Sequence, residues 1–458
     1  MSEDALFHPA ALEAQLTLLI PVEQSRPTGP GWRSGVAAFP VRNEAATQTD
    51  LAWRKRQVDL RAERALYDGR LVCDLEEPVV LWRPVNKSAG TELTLTKIEF
   101  VPTGAVASRG PGGVAVAHLA VADDAGKPHA GLEGGAEISV RTLNSAISDL
   151  ARPDHQRPMG IAPPLRTCAG LDVFHHHDAV VSSFVVLSSQ TVRALAAHVG
   201  DTGWTGTRFW AYSLARGSAP GTGMLRRGPL PATPGEVVSF PHRLAVVDRA
   251  GLSILTTRDP ADHDIRDQYM NFRAPFRSIY TDLLLLGMLQ QIQVVDLALA
   301  LDEMGDPVSD PGRFRLLDDR LRVVRNRYWW TSVTRWHVPD PILRAYQRQN
   351  SVRESLQQLV EDARDFGNAV DRQYQRDLND KIILFAKIGV VGALAGSFGA
   401  VASWLAAFGT GHWGASLAIA ISAPACALAL AATLIYLTAK WPAEPRGIGA
   451  RSTNKDNG

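Results

Sequence analysis

The stretch IILFAKIGVVGALAGSFGAVASWLAAF, residues 382–408, decides the fold class of this chain. It contains a single charge, Lys387. A second apolar stretch, ASLAIAISAPACALALAATLIYLTA, occupies residues 415–439 and contains no charge. A helix rises about 1.5 Å per residue, so each stretch can cross a hydrocarbon core of about 30 Å. Neither has the polar face that a surface helix of a soluble protein needs. The sequence therefore predicts a C-terminal hairpin of two transmembrane helices.

The flanking charges predict which ends of the hairpin face the cytoplasm. Lys381 precedes the first stretch and Lys440 follows the second, whereas the turn at 409–414 contains neither lysine nor arginine. Positive charge favours the cytoplasmic side, so we expect both termini inside and the turn outside. The chain starts with MSEDALFHPA, which lacks the basic and apolar segments of a signal peptide. These features predict a multi-pass protein of the cell's inner (plasma) membrane.

The overall composition describes the part of the chain that precedes the hairpin. Over the whole chain, 48 Lys and Arg nearly balance 47 Asp and Glu, giving a net charge of +1. Such a balance predicts no strong attraction to nucleic acid, so no nucleic-acid partner is expected. The three cysteines, Cys73, Cys168 and Cys426, are far apart in sequence. This spacing favours reduced thiols facing the cytosol over a disulfide framework.

The predicted fold class is an α+β cytosolic domain followed by a long helical stalk and a C-terminal two-helix transmembrane hairpin. Strands are expected at 16–22, 37–41, 79–82, 92–101, 114–121, 138–143, 180–187, 244–247 and 252–256. Helices are expected at 50–67, 190–198, 280–304 and 314–335, and a further helix near Pro339 and Pro341. The predicted segments are a cytosolic domain at 1–265, a stalk at 266–381, the hairpin at 382–440 with spans at about 385–408 and 415–439, and a cytosolic tail at 441–458.

An apolar stripe leads into the first predicted span. Its members recur every three or four residues and are Val352, Leu356, Leu359, Ala363, Phe366, Val370, Tyr374, Leu378 and Ile382. One helix alone would expose this stripe to water, and packing against identical helices would bury it. The stripe therefore predicts a homo-oligomer.

Polar residues at the two ends of the first span are candidate ion ligands. Asp377, Asn379 and Asp380 lie at the inner end, and Thr410 lies at the outer end. In an oligomer the inner residues would form rings of oxygen ligands able to recruit cations. The alternative is ordinary helix-surface polarity beside Lys381.

Small residues follow one face of the first span. They are Gly392, Gly396, Gly399 and Ser403. The GxxxG spacing of the first two lets helix backbones approach closely in lipid. Packing within the hairpin and a face shared around a pore are both consistent with it.

Two other clusters have simpler explanations than a binding site. Adjacent residues of a strand point to opposite faces, so His175, His176 and His177, followed by Asp178, favour a surface loop over a zinc site. Seven arginines in 313–335 are compatible with a nucleic acid or phosphorylated ligand, but anionic partners on neighbouring helices explain them more simply. No catalytic motif stands out, so neither an enzyme nor a cofactor is expected, with a divalent cation as the candidate substrate or regulator.

The helical region and hairpin resemble a known transporter family. The residues that carry the likeness are YTDLLLL at 280–286 and RNRYWW at 325–330, followed by the hairpin. Over about 266–441 the chain resembles the CorA-type two-transmembrane metal ion transporter superfamily. The resemblance implies a homopentamer in which the first span lines a pore and the cytosolic domain controls the gate. It also implies a cation as the transported substrate.

The chain departs from the signature of that superfamily. The family has Gly-Met-Asn at the end of the first span, and here Gly409-Thr410-Gly411 stands in that place. No acidic residue occurs between Asp380 and Glu444. Two hypotheses therefore remain. The first is an oligomeric channel or transporter for a cation. The second is a membrane-anchored ligand sensor or effector that kept the scaffold but lost selective metal transport.

Overall fold

Two compact units make up the chain, Met1–Asp365 and Phe366–Gly458. The predicted boundary between residues 265 and 266 falls inside the first unit. The computed structural model describes residues 10–37, 39, 51–83, 92–103, 110–122, 138–151, 161–174, 178–196, 205–217, 236–240, 243–258, 275–304, 310–327, 329–330, 333–335 and 339–410.

A ten-stranded mixed sheet forms the centre of the first unit. Its strands are β1 (Ala10–Val22), β2 (Trp32–Ser34), β3 (Leu71–Trp82), β4 (Glu92–Pro102), β5 (Gly113–Ala122), β6 (Ile138–Ser139), β7 (Val180–Ser188), β8 (Glu236–Phe240), β9 (Arg243–Asp248) and β10 (Gly251–Arg258). The order is β2-β3-β4-β5-β1-β7-β10-β9-β8, with β6 beside β1. Strands β7 and β10 run parallel, and the other described pairs are antiparallel.

The described helices lie among the strands and after them. Those among the strands are α1 (Leu51–Gln57), α2 (Leu60–Tyr67), α3 (Val140–Ala151), α4 (Ser189–Leu195) and α5 (Gly206–Arg216). After the sheet come α6 (Thr281–Asp302), α7 (Pro311–Arg327), α8 (Asp340–Gln349) and α9 (Val352–Thr410). A π-helical turn, Phe276–Tyr280, leads into α6. The predicted α+β region followed by long helices is confirmed at this level.

Apolar cores cover both faces of the sheet because successive side chains of a strand point to opposite sides. Leu16, Leu18 and Ile20 of β1 belong to one core, which also contains the buried faces of α3 and α5. Leu19 belongs to the other core, together with residues of α2, α6 and α8. The first unit is therefore built as helix, sheet and helix layers.

Helix α6 has the composition of a membrane span but lies in the protein core. The segment Phe276–Asp302 is long and apolar enough to cross a membrane, yet 72% of its most apolar window is buried in the protein. One of its polar groups is bonded there, since Gln293 Nε2 donates to the Thr103 carbonyl at 2.7 Å. A Cβ added to Gly287 would lie 2.5 Å from Cδ1 of Tyr346, so α6 and α8 pack closely. The helix predicted at 280–304 is confirmed, as Thr281–Asp302.

Four predicted elements differ from the structure. Residues 138–143 were predicted as one strand, but α3 begins at Val140 after the two-residue β6. The predicted helix at 50–67 is interrupted at Val58, which bridges to Thr334. Ala37 and Phe39 lie outside the strands. The predicted helix at 314–335 ends at Arg327. In each case a tertiary contact or a longer apolar period overrides the local preference.

A short break separates α8 from α9. Asn350 and Ser351 lie between the two helices, and Ser351 has φ of 49°, in the left-handed region. The Asn350 N–H donates to the Tyr346 carbonyl at 3.1 Å, and the Ser355 N–H donates to the Ser351 carbonyl at 3.0 Å. A non-glycine residue in this region costs about 1–3 kcal/mol, so the surrounding contacts hold the break in place. The further helix predicted near Pro341 is therefore two helices.

Candidate functional site

The most apolar part of α9, residues 382–408, is named here the apolar segment. Phe385, Leu394 and Phe398 are 70%, 54% and 74% exposed. The most apolar 18-residue window within Val352–Gly399 is 0% buried, in contrast to the window in α6. Two helices of the described chain are thus long and apolar enough to cross a membrane, and only α9 presents that surface outward. The second predicted span, 415–439, lies outside the described residues.

The apolar stripe of α9 divides into two parts. Val352, Leu356, Leu359 and Ala363 are buried within the chain itself, so this part needs no second copy to cover it. Tyr374, Leu378 and Ile382 are exposed. The expectation that identical helices bury the stripe therefore applies only to its later residues.

The predicted ion ligands all lie on α9. Asp377, Asn379 and Asp380 are exposed, and the Gln373 side chain donates to Asp377 Oδ1 at 3.0 Å. Thr410 is the last residue of the helix. Within the described residues, no group of three or more His, Cys, Asp or Glu could hold a metal ion. In a single chain these residues form no cage, and the proposed rings of ligands stay a prediction.

The small-residue face of α9 is open. Among the described atoms, nothing lies within 4 Å of a Cβ built on Gly389, Gly392 or Gly396. Gly399 lies on the same helix, and of Ser403 only the backbone is described. A neighbouring helix can approach this face closely, which is the geometry that GxxxG spacing allows. Which helix does so stays a prediction.

Three other sets of predicted residues are placed only in part. Of the histidine cluster, His175 to His177 lie outside the described residues. Cys73 and Cys168 are free thiols, and Cys426 lies outside the described part. On α7, Arg322 forms an ion pair with Asp318 at 2.6 Å. Asp318 lies on α7 itself, whereas the simpler explanation named neighbouring helices. The contact that fits that explanation is Arg313 Nη2, 3.9 Å from Oε2 of Glu303, directly after α6.

A cluster of charged side chains is buried between the sheet and the helices on one face. We name Arg54, Arg70, Glu99 and Asp282 the buried charge cluster, and each is at most 2% exposed. They come from α1, the residue directly before β3, β4 and α6. Arg54 Nη1 lies 3.3 Å from both carboxylate oxygens of Asp282, and its Nη2 lies 3.2 Å from Glu99 Oε1. Arg70 Nη1 donates to Asp282 Oδ1 at 2.8 Å, and its Nε donates to Glu99 Oε2 at 2.5 Å.

Neutral groups complete the hydrogen bonds of this cluster. The Tyr67 hydroxyl donates to Asp282 Oδ2 at 2.9 Å, and the Ala37 N–H donates to Glu99 Oε1 at 2.9 Å. His118 Nε2 lies 3.2 Å from Glu99 Oε1, and His118 Nδ1 lies 3.3 Å from the Thr17 hydroxyl. Two positive and two negative charges therefore balance, and polar neighbours surround them. Such balance is what buried charges require.

Electrostatics fixes the protonation states in the cluster. Burial alone would raise the pKa of Glu99, but the positive charges of Arg54 and Arg70 hold that pKa well below its usual range. Burial lowers the pKa of His118, against the opposing effect of Glu99. Burial and the Asp282 carboxylate raise the pKa of Tyr67 well above its usual value. At neutral pH, Glu99 is thus ionised, His118 is neutral and Tyr67 keeps its proton. The cluster is closed to solvent, so its role is to fix α1, α2 and α6 to the sheet.

No protein-family model, curated protein or solved structure matches this chain.

The exposed apolar segment of α9 is a continuous apolar surface of a size that water-soluble monomeric proteins rarely expose. The buried charge cluster is the feature that no sequence pattern predicted. It joins residues as far apart as Arg54 and Asp282, which are 228 positions apart in sequence.

The stability of the first unit is expected to fall with acid because of His118. Its pKa in the folded state is lowered from 6.5. As pH falls through 6.5, the unfolded chain gains a proton that the folded chain does not accept, so unfolding becomes more favourable. The loss continues down to the folded-state pKa, and the loss due to Glu99 begins only below its ordinary value of 4.5.

Urea unfolding of the full chain between about pH 7.5 and pH 5 measures this effect. The wild type should lose stability faster than the variant His118→Gln, by up to about 1.4 kcal/mol per pH unit. The other histidines contribute to both proteins and cancel in the difference. Equal slopes for the two proteins would show that His118 is not the group responsible.

Proposed function

We propose that the protein is an oligomeric membrane channel or transporter of CorA-like architecture, which moves a cation and is gated by its cytosolic domain. The observation that carries the proposal is the exposed apolar segment at the end of the continuous helix α9. In this proposal, residues 382–408 and the apolar stretch 415–439 both cross the inner membrane, with both termini in the cytoplasm.

The chemistry of the apolar segment supports contact with lipid. Nine large apolar side chains are exposed there: Ile382, Ile383, Leu384, Phe385, Val390, Leu394, Phe398, Val401 and Leu405. Burial of each CH₂ group contributes about 0.8 kcal/mol. The free-energy cost of leaving this surface in water is therefore large compared with the net stability of a folded domain. Lipid removes that cost along the whole segment.

The pore is proposed to form where copies of α9 meet. The open face at Gly392 and Gly396 allows helices to approach closely in lipid. Asp377, Asn379 and Asp380 would then form rings at the inner mouth, and Thr410 would lie at the outer mouth. The homopentamer comes from the resemblance to the CorA-type superfamily. The exposed residues Tyr374 and Leu378 supply apolar surface for contact between copies.

Ion flux through the full-length protein in liposomes tests this proposal. Uptake of Mg²⁺, Zn²⁺, Na⁺ and K⁺ is measured in vesicles with verified orientation. We expect flux of at least one cation, and roughly a several-fold loss in Asp380→Asn because the ring loses its charge. Asp371→Asn changes an exposed carboxylate on the same helix, nine residues earlier, and should leave flux unchanged. Absence of flux for all four cations would contradict the channel, and so would a monomeric mass in detergent.

A second function is favoured by the sequence of the outer turn. No acidic residue lies between Asp380 and Glu444, and Gly409-Thr410-Gly411 replaces the asparagine-containing signature. Hydrated divalent cations need oxygen ligands or negative charge at the entrance. We therefore keep as the alternative a membrane-anchored ligand sensor or effector. Specific ligand binding by the full chain without flux of any of the four cations would select it.

A further inference from the structure

A cavity of about 470 Å³ lies at the junction between α8 and α9. One wall is the start of β7 and the turn between β9 and β10, and the other is the middle of α6 with the end of α8. Its volume lies within the range of small-molecule sites, about 300–1,000 Å³. All of its lining residues belong to the first unit.

The floor of the cavity is apolar. Val180, Met288 and Ile292 line it. All three are buried, so the chain already covers most of their surface outside the cavity. The ring of Tyr346 closes one side, and its hydroxyl donates to Gln291 Oε1 at 2.8 Å. That bond holds both side chains in place and leaves the NH₂ group of Gln291 available to a ligand.

Two opposite charges stand at the rim. Arg249 donates from Nε to the Gln349 carbonyl at 3.0 Å, which orients its guanidinium. Asp178 lines the same cavity from the β7 side. Among the described residues neither charge forms an ion pair, and both are exposed. A guanidinium binds carboxylates in a fixed geometry, and a carboxylate binds ammonium groups.

We propose that this cavity binds a small zwitterion with an apolar side chain, of the size of a free amino acid or dipeptide. The carboxylate of the ligand lies on Arg249, its ammonium group lies on Asp178, and its side chain lies against Met288 and Ile292. The combination of one positive group, one negative group and an apolar floor selects such a molecule over a purely anionic or cationic one. This site stands apart from transport and does not depend on the proposed channel.

The position of the cavity gives binding a structural consequence. Asn350 and Ser351, the two residues of the break between α8 and α9, line it. Ser351 has the strained φ of 49°, and its carbonyl accepts the N–H of Ser355 in the first turn of α9. A ligand seated here contacts the break directly, so occupancy stabilises this arrangement of the break over others.

Calorimetric titration of the full-length protein in detergent with L-leucine and with leucylleucine tests the site. We expect saturable binding of at least one of the two below about 10 mM. The matched probes 4-methylpentanoate, which lacks the ammonium group, and 3-methylbutylamine, which lacks the carboxylate, should each bind about tenfold more weakly or worse.

Charge-removing variants assign the two ends of the ligand. Arg249→Gln should weaken binding about tenfold or more, and so should Asp178→Asn. Arg325→Gln and Asp302→Asn remove exposed charges outside the cavity and should leave affinity within about twofold. Absence of saturable binding for both zwitterions overturns the proposal. Equal binding of 4-methylpentanoate together with no effect of Asp178→Asn overturns it as well, and indicates an anion site. Neither result bears on ion flux, which is measured separately.

Discussion

The substitution Asp282→Asn is expected to destabilise the first unit by about 3–5 kcal/mol, because it leaves a buried positive charge without its counter-charge. Asp282 accepts hydrogen bonds from Arg54, Arg70 and Tyr67, and it is 0% exposed. Asparagine has nearly the same shape, so the loss comes from charge and not from a cavity. Urea unfolding of the full chain at neutral pH, followed by tryptophan fluorescence, measures the change.

The matched control for this change is Asp318→Asn on α7. Asp318 pairs with Arg322, whose side chain is 68% exposed, so solvent screens the pair. Exposed pairs of this kind contribute at most about 1 kcal/mol. If both variants lost the same small amount of stability, the buried charge cluster would not be the electrostatic anchor that its geometry indicates.

The substitution Leu394→Asp is expected to oppose membrane insertion of α9 by about 3–4 kcal/mol. A leucine near the centre of a span contributes favourably, and an aspartate there costs about 2.5–3.5 kcal/mol. Leu394 lies near the middle of the apolar segment and is on the opposite side of the helix from Gly392. The fraction of full-length chain that resists alkaline extraction from membranes measures insertion.

Leu316→Asp provides the control, because it places the same charge at another exposed leucine. Leu316 lies on α7 and is 63% exposed, close to the value for Leu394. Facing water, it should change neither insertion nor stability by more than about 0.5 kcal/mol. Unchanged insertion of Leu394→Asp would mean that this side of α9 faces water or a pore, and it would contradict lipid contact there.

Regular local patterns in the sequence are sufficient to predict the positions of many strands of the sheet. The predicted strands at 92–101 and 114–121 became β4 and β5 with similar ends. The predicted strands at 244–247 and 252–256 became β9 and β10, which pair antiparallel across the turn 248–251. The predicted helix at 190–198 corresponds to α4, which Ser188 caps, since its side chain accepts the Thr191 N–H. In these cases one local signal, a period of two or a cap, agrees with the tertiary structure.

Prediction of secondary structure from local sequence was wrong where two patterns in the same segment favoured different elements. At 138–143 the β-branched Ile138 and Val140 favoured a strand, although Leu143, Ile147 and Leu150 continue with the helical period of α3. Helix α5 was missed beside a loop rich in glycine and proline. It carries clear end signals, because Thr205 caps its start and Gly217, with φ of 60°, ends it. A search for paired caps would have found this helix.

The candidate sites differ in how well they can be predicted from the sequence. The apolar segment of α9 is visible in the sequence because its length and composition distinguish it as a candidate span, although α6 passes the same test and is buried. The buried charge cluster is not, because Glu99 lies in a strand and Arg54 in a short charged helix, where both look solvent-facing. Their burial depends on Asp282, which lies far along the chain. The cavity likewise brings together Asp178, Arg249 and Met288, which no spacing rule connects.

Glu99, Arg54 and Arg70 form their buried ion pairs only when Asp282 is present, so the order of translation limits when the domain can fold. Until the ribosome has released α6, these three side chains have no complete set of partners, and the nascent domain must stay open around them. The 100 residues from Asp282 to Ile382 take about 5–20 s to translate at about 5–20 residues per second. The domain can therefore close during that interval, before Ile382, the first residue of the apolar segment, is translated.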